Sequence, residues 1–283
     1  MMSKSTHAAS PFIVDEPNVS RAWAKVALHI LDHSGTEVSP LILSVSGLNA
    51  SCLLDEHPDV HAALDAVLQA NGHQTIEDVA HTIFPQRIWK IAQGDRAYLF
   101  RLYQDVFNRY QLINKRANGR GLYFERLIQY GSGPCDGNQL EWILGQFHSR
   151  KGVRDSMYQA SIFDPSRDHV ATAQLQFPCL QHVSFVPTQE GLVVNAFYAT
   201  QQLFVKGYGN YLGIARLGAF MAHEMCIPLH RMNVFVGVAK LERIHKTDAS
   251  LHPLIDAARA CLATPHAAEI VSPSVTQEAL VEL

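Results

Sequence analysis

The feature that most constrains this chain is a change of hydrophobic period near its middle. Up to about residue 150 the apolar residues recur at helical spacing. Trp23, Val26, Ala27, Ile30 and Leu31 form one face. Val60, Leu64, Val67 and Leu68 form another, opened by Pro58 at a first-turn position and closed by Asn71-Gly72. Phe100, Tyr103, Phe107 and Tyr110 predict a helix from Arg96 to about Ile113, and Leu140, Ile143, Leu144 and Phe147 one over 138–149. The exception in this half is SPLILSVSGL (39–48), which reads as a strand. From Ser156 onward the runs 156–163, 179–187 and 191–200 are aromatic and β-branched, the composition of strands, with Thr188-Gln189-Glu190-Gly191 as a turn. A long apolar helix from about Tyr211 to Met225, a strand over 232–242 and a last helix from about Pro253 to Leu262 follow. Helices and strands thus mix within one block, which predicts a single α+β domain with a large mixed sheet covered by helices. The domain is placed at 21–265, between a loose N-terminal segment (1–20) and a C-terminal tail (266–283).

Composition narrows the function classes. With 47% hydrophobic and 17% charged residues in 283, the chain can bury a sizeable core, and intrinsic disorder is excluded. Basic and acidic residues number 23 and 26, a net charge of -3, so no nucleic-acid partner is expected. No apolar run approaches the ~20 residues of a membrane helix. The start, MMSKSTHAAS, lacks the apolar core of a secretory signal, and a cytoplasmic protein is expected. Five scattered cysteines make no disulfide framework.

Cys179 is the thiol to weigh. It stands in Phe177-Pro178-Cys179-Leu180 at the mouth of an apolar strand. The ordinary role of a free cysteine is that of a small core hydrophobe, and local sequence alone favours it. The surrounding pattern shifts the balance. Asn210 lies 31 residues after Cys179, ends Gly207-Tyr208-Gly209-Asn210 and opens the long helix. Upstream stand Asn138-Gln139-Leu140, Tyr123 in Arg120-Gly121-Leu122-Tyr123-Phe124, and Gln93-Gly94-Asp95. In order and spacing these resemble the thymidylate synthase family, including its pyrimidine hydroxymethylases, over residues 80 to 242.

The resemblance implies a thymidylate synthase-like fold and one-carbon (methyl or hydroxymethyl) transfer to C5 of a uracil-like pyrimidine, with 5,10-methylenetetrahydrofolate as donor. It makes Cys179 the nucleophile that adds to C6, because C5 attacks only after becoming an enolate carbon. Tyr123 would relay a proton at C5. Asn210 would read the base edge, donating to O4 and accepting from N3–H. For Tyr123 and Asn210 the plain alternatives are a half-buried aromatic and a helix N-cap. Thr200, Gln201 and Arg154 are implied on the substrate, and Gln202, Gly207 and Tyr208 on the folate. A homodimer is implied too, Arg154 crossing to the partner's site.

The departures are informative. The family's phosphate-binding arginine is here Ala199, and its paired partner-subunit arginines align with Arg154 and Asp155. Gln202 stands for the pterin-holding aspartate, and the sugar-reading His-x-Tyr is missing from 238–242. The catalytic glutamate aligns with Gln86 or Arg87, which leaves Glu125 as the candidate carboxylate. Arg150, Lys151, Arg154, Arg167 and Lys206 are candidates for a replacement anion site. Two other readings remain open: a catalytically reduced member that binds a nucleotide-like ligand, and Cys179 chemistry without folate. His223, Glu224, Cys226 and His230 match no zinc spacing, and no metal is expected. Gly207-x-Gly209 is a turn rather than a phosphate loop. Cys135 reads as a loop thiol.

Overall fold

The computed structural model describes residues 11–48, 56–113, 115–131, 133–149, 152, 154–171, 177–242 and 244–265. The chain runs β1 (Phe12–Glu16), α1 (Val19–Asp32), β2 (Glu37–Val38), β3 (Leu41–Val45), α2 (Pro58–Ala70), α3 (Ile76–His81), α4 (Gln86–Ala92), α5 (Arg96–Ile113), α6 (Lys115–Asn118), α7 (Tyr123–Ile128), α8 (Gln139–Ser149), β4 (Gln159–Ser161), α9 (Pro165–Asp168), β5 (Leu180–Pro187), β6 (Leu192–Gln202), α10 (Tyr208–Glu224), β7 (Leu229–Lys240) and α11 (His252–Ala263). The strands form one mixed sheet in the order β1-β3-β7-β6-β5-β4, with β2 pairing the end of β7. Two pairs are parallel, β1 with β3 and β6 with β7. Each needs a crossover, which α1 and α10 supply.

Alternation along the strands sorts the sheet into two faces. Leu41, Leu43, Val194, Ala196, Val183, Phe185, Val234 and Val236 are buried, and α1, α8 and α10 pack against the sheet. The opposite face carries a row of mutually bonded polar groups. Arg231 donates to Asp15 and Ser44, Ser44 to Asn233, Asn233 to Asn195, and Asn195 to Ser184. One register step away, Phe235 and Phe197 pair across β7 and β6 with rings stacked 5.4 Å apart, each about 40% exposed.

Two local devices fix the elements around the site. Thr75 and Asp78 form a reciprocal capping box that starts α3 after the turn that ends α2. Then α3 lies directly on α10, where Gly209 and Gly213 permit the approach. A Cβ at Gly209 would stand 2.6 Å from Val79 Cβ, and one at Gly213 would stand 2.9 Å from Ile83 Cβ.

Some boundaries differ from expectation. Residues 12–20, expected in a loose segment, form β1 and the start of α1, with the Asn18 side chain capping Arg21 N–H at 2.9 Å. The guanidinium of Arg21 ties this end down, donating to Glu16 and to the Cys261 carbonyl, both at 2.9 Å. The run 156–163 contributes only three strand residues, because 155–157 curl into a 3-10 turn. The central helix begins at Tyr208 rather than Tyr211. Residues 1–10 and the tail from 266 lie outside the described residues, as does Cys52.

Candidate functional site

Six side chains singled out from sequence meet at one cavity of about 260 Å³: Cys179, Tyr123, Asn210, Gln201, Gln202 and Lys206. They arrive from four directions. Cys179 sits immediately before β5, and its carbonyl accepts the Ala199 N–H at 3.1 Å, which clips it to β6. Tyr123 is the first residue of α7, whose start is tied to α3 by the Phe124 N–H donating to the Thr82 carbonyl at 2.9 Å. Gln201 and Gln202 end β6, where a π-helical turn (Leu203–Gly207) swings the chain into α10. Asn210 lies in the first turn of α10, and the N-cap position belongs to Gly207. Asn210 is therefore not the cap, and it stands at the cavity while only 4% exposed.

The electrostatics favour neutral groups. Burial pushes the Cys179 thiol above the ordinary range; the Thr200 hydroxyl, 3.8 Å from Sγ, and Lys206 pull the other way, while Glu242 adds to the rise. Tyr123 is raised by burial and next by Cys179, with the Leu180 and Cys179 amides partly offsetting. It is thus held protonated, suited to donating a proton and unsuited to serving as a base. Tyr211 donates to Gln201 Oε1 at 2.5 Å. Gln202 donates to Glu242 Oε2 at 2.7 Å. Lys206 lines the cavity and donates to Gln74, another lining residue.

Other expected residues are not brought to the cavity. Glu125 does not line it: the carboxylate is buried behind Gly121, 3.6 Å from Arg167, with its pKa raised by burial. Residues two apart on a helix face nearly opposite ways, so placing Tyr123 at the cavity turns Glu125 from it. The same rule removes Tyr208, which points into the core two positions before Asn210. Its hydroxyl bonds to Ser20 at 2.7 Å and Glu56 at 2.9 Å. Gly207 packs against Leu203 and Trp23 instead of the cavity. Gln86 and Arg87 border a separate small hollow with His81 and Arg216. Thr200 is exposed yet touches the thiol. Arg154 is exposed outside the cavity, and Arg167 is engaged with Glu125 and the Arg120 carbonyl. Arg150 and Lys151 lie outside the described residues. Of the five anion-site candidates, Lys206 is the described one that lines the cavity.

The sequence reading missed Gln74, Val79 and Thr82, which form a wall from α3 and its approach, and also Asn118 and Arg126. The capping-box pair Thr75 and Asp78 was the available signal for α3. Arg126, only 2% exposed, forks onto Asp168 with bonds of 2.7 and 2.8 Å and also donates to the Ile162 and Arg120 carbonyls. This closed network fixes the floor beneath α7.

Elsewhere, Glu224 is bonded to Arg96 and His223. Among the described residues no group of three or more His, Cys, Asp or Glu is arranged to hold a metal. Cys135 and Cys226 are exposed and Cys261 is buried. No described helix is long and apolar enough to cross a membrane. Compared with known proteins, the sequence matches no family model and no curated protein.

Proposed function

We propose that this chain is a divergent, thymidylate synthase-like enzyme that transfers a one-carbon unit, methyl or hydroxymethyl, to C5 of a uracil-like pyrimidine. The observation that carries the reading is the convergence of Cys179, Tyr123 and Asn210, each from a different element, on one cavity of about 260 Å³. A volume near the lower end of the ~300–1,000 Å³ typical of ligand sites suits a pyrimidine nucleoside.

In this mechanism the Cys179 thiolate forms a bond to C6 as the C5–C6 π pair moves into an enolate through O4. The Asn210 amide donates to O4 and supports the developing charge while accepting from N3–H. C5 then takes a proton from neutral Tyr123, directly or through water. The Tyr123 phenolate so formed takes back the other C5 hydrogen as a proton by the same route, and the returning enolate pair expels the thiolate and restores the ring. This half-reaction exchanges the C5 hydrogen with solvent. Methylenetetrahydrofolate is the donor that the resemblance implies, and it would supply the carbon that C5 attacks. The residues fit it poorly. Of Gln202, Gly207 and Tyr208, only Gln202 reaches the cavity, and its amide nitrogen is engaged by Glu242.

Release of tritium from [5-³H]uracil compounds tests the reading, with Cys179→Ala as the control. Exchange lost in the variant supports it, and exchange retained overturns the nucleophile assignment. One observation favours a second reading, a catalytically reduced protein that binds a pyrimidine: burial raises the Cys179 thiol instead of activating it. That reading expects no exchange at any pH. The first expects exchange, and alkylation of Cys179 by iodoacetamide, to climb with pH through and beyond the usual thiol range of ~8.5.

The protein is further proposed to form a homodimer through the open sheet face, with Arg154 reaching the partner's site. The exposed Phe197–Phe235 pair at the centre of that face supports this. Light scattering at micromolar concentration should give twice the chain mass. A monomer removes both the dimer and the role of Arg154.

A further inference from the structure

At the floor of the cavity one amide end is left without a partner. Gln201 is 2% exposed, and its Oε1 accepts the Tyr211 hydroxyl at 2.5 Å. Its Nε2 is buried and bonded to no group among the described residues. A primary amide nitrogen carries two N–H donors, and burying them unpaired is costly, so such groups in a binding site mark where a ligand acceptor belongs. Tyr211 is itself buried and anchored in α10, so its hydroxyl fixes which way the amide faces. Gln201 lines the same cavity as Asn210.

We infer that Gln201, held in orientation by Tyr211, donates to a ring carbonyl of the ligand and is the second reader of a two-carbonyl ring. The inference rests on the proposed pyrimidine reading. A uracil ring has two carbonyl oxygens. Asn210 takes the O4/N3–H edge, so the acceptor for Gln201 Nε2 is O2. The pair of amides thereby selects rings bearing two acceptor oxygens flanking an N–H. Sulfur is a weaker acceptor than oxygen, so thio-substitution at one position weakens one contact at a time. Gln201 is a binding residue here, and Tyr211 is a positioning residue acting through it.

The experiment is calorimetric titration of uridine, 2-thiouridine and 4-thiouridine into the wild-type protein, Gln201→Leu and Tyr211→Phe. The wild type should bind 2-thiouridine about tenfold more weakly than uridine, the size of one neutral hydrogen bond in a buried site. In Gln201→Leu the uridine/2-thiouridine ratio should fall below about twofold while the 4-thiouridine penalty, felt at Asn210, persists. Tyr211→Phe should lower the ratio partway. A purely structural role for either residue weakens all three ligands together and leaves the ratio unmoved. That outcome, or a wild-type ratio near one, overturns the inference while the pyrimidine reading stands. Should Gln201→Leu fail to fold, Gln201→Met, which keeps the length of the side chain and removes the donor, must give the same collapse. No binding of any of the three by the wild type overturns the proposed function and this inference with it.

Discussion

On the proposed pyrimidine reading, the groups that would address the ring and those that would address a phosphate differ in where the fold puts them. For the ring, Cys179, Tyr123, Asn210 and Gln201 are held by backbone clips, a helix start and a buried tyrosine, and each presents a group that ring chemistry needs. Among the groups for a phosphate, Ala199 stands where the family resemblance implies an arginine, Arg154 is exposed elsewhere and Arg167 is engaged with Glu125. Arg126 lines the cavity, but its charge is matched by the Asp168 fork. If the pyrimidine reading holds, ring recognition and phosphate recognition are separable within one scaffold, because different elements would carry them.

The harshest break of the ring groups is Cys179→Ser. C5 exchange should fall by a factor on the order of 10³ or more, since a serine hydroxyl is hardly ionised at neutral pH. The melting temperature should move little, as exchanging one half-buried thiol for a hydroxyl costs ~1 kcal/mol.

Asp168→Ala attacks the support beneath α7 instead. It leaves the Arg126 guanidinium buried without its counter-ion, a loss of ~3–5 kcal/mol. Denaturant unfolding should show that full drop at neutral pH. Burial raises the Asp168 carboxyl, but the Arg126 bonds, the Asp164 amide and the charges of Arg126 and Arg167 together hold the pKa below its usual value. The pair's contribution is therefore present above the unfolded value of ~3.9 and is lost as pH falls through the lower folded value. Wild type and variant should converge in acid.

The contrast between the two sets of groups sharpens with ligand choice. Each charge-assisted bond contributes ~1.5–3 kcal/mol, so deoxyuridine monophosphate should gain little over deoxyuridine here. Its affinity should lie on the order of 100-fold below that of a site with all its arginines, and Ala199→Arg should recover part of that difference. A monophosphate bound 100-fold more tightly than its nucleoside by the wild type would show a rebuilt anion site.

The smallest effect concerns Glu125. Glu125→Gln should leave exchange unchanged and alter stability by less than ~1 kcal/mol at low pH. Because burial raises the folded pKa of Glu125, ionising it disfavours the fold. The variant's relative stability should grow as pH rises from the unfolded value of ~4.3 through the folded one. A large loss of exchange would restore Glu125 as a catalytic acid.

Much of this was legible in the residues. The helices over 96–113 and 139–149 and strands β5 and β6 follow from period and composition because each is long enough to repeat its pattern. β1 and β2, of five and two residues, repeat too little. The short helices α3, α4 and α7 hide for the same reason, and with them went Val79, Thr82 and Arg126. For the candidate site, the family resemblance named Cys179, Tyr123 and Asn210, which the fold brings to one cavity. Glu125 and Tyr208 were misplaced because proximity in sequence does not set the side of a helix, which waits on where the helix starts.

The contact between α3 and α10 has a further consequence. Val79 lines the cavity and lies against Gly209, one residue before Asn210. The absence of a single methyl group on α10 therefore sets the distance from one wall to the group that faces it, as a shim sets the gap in a machined part. An alanine at Gly209 would push α3 outward and widen the slot beside Asn210, with no change to any residue that touches the ligand. On the proposed reading, ligand size would be gauged at a seam behind the site, where substitutions would alter which rings are admitted before they alter what is done to them.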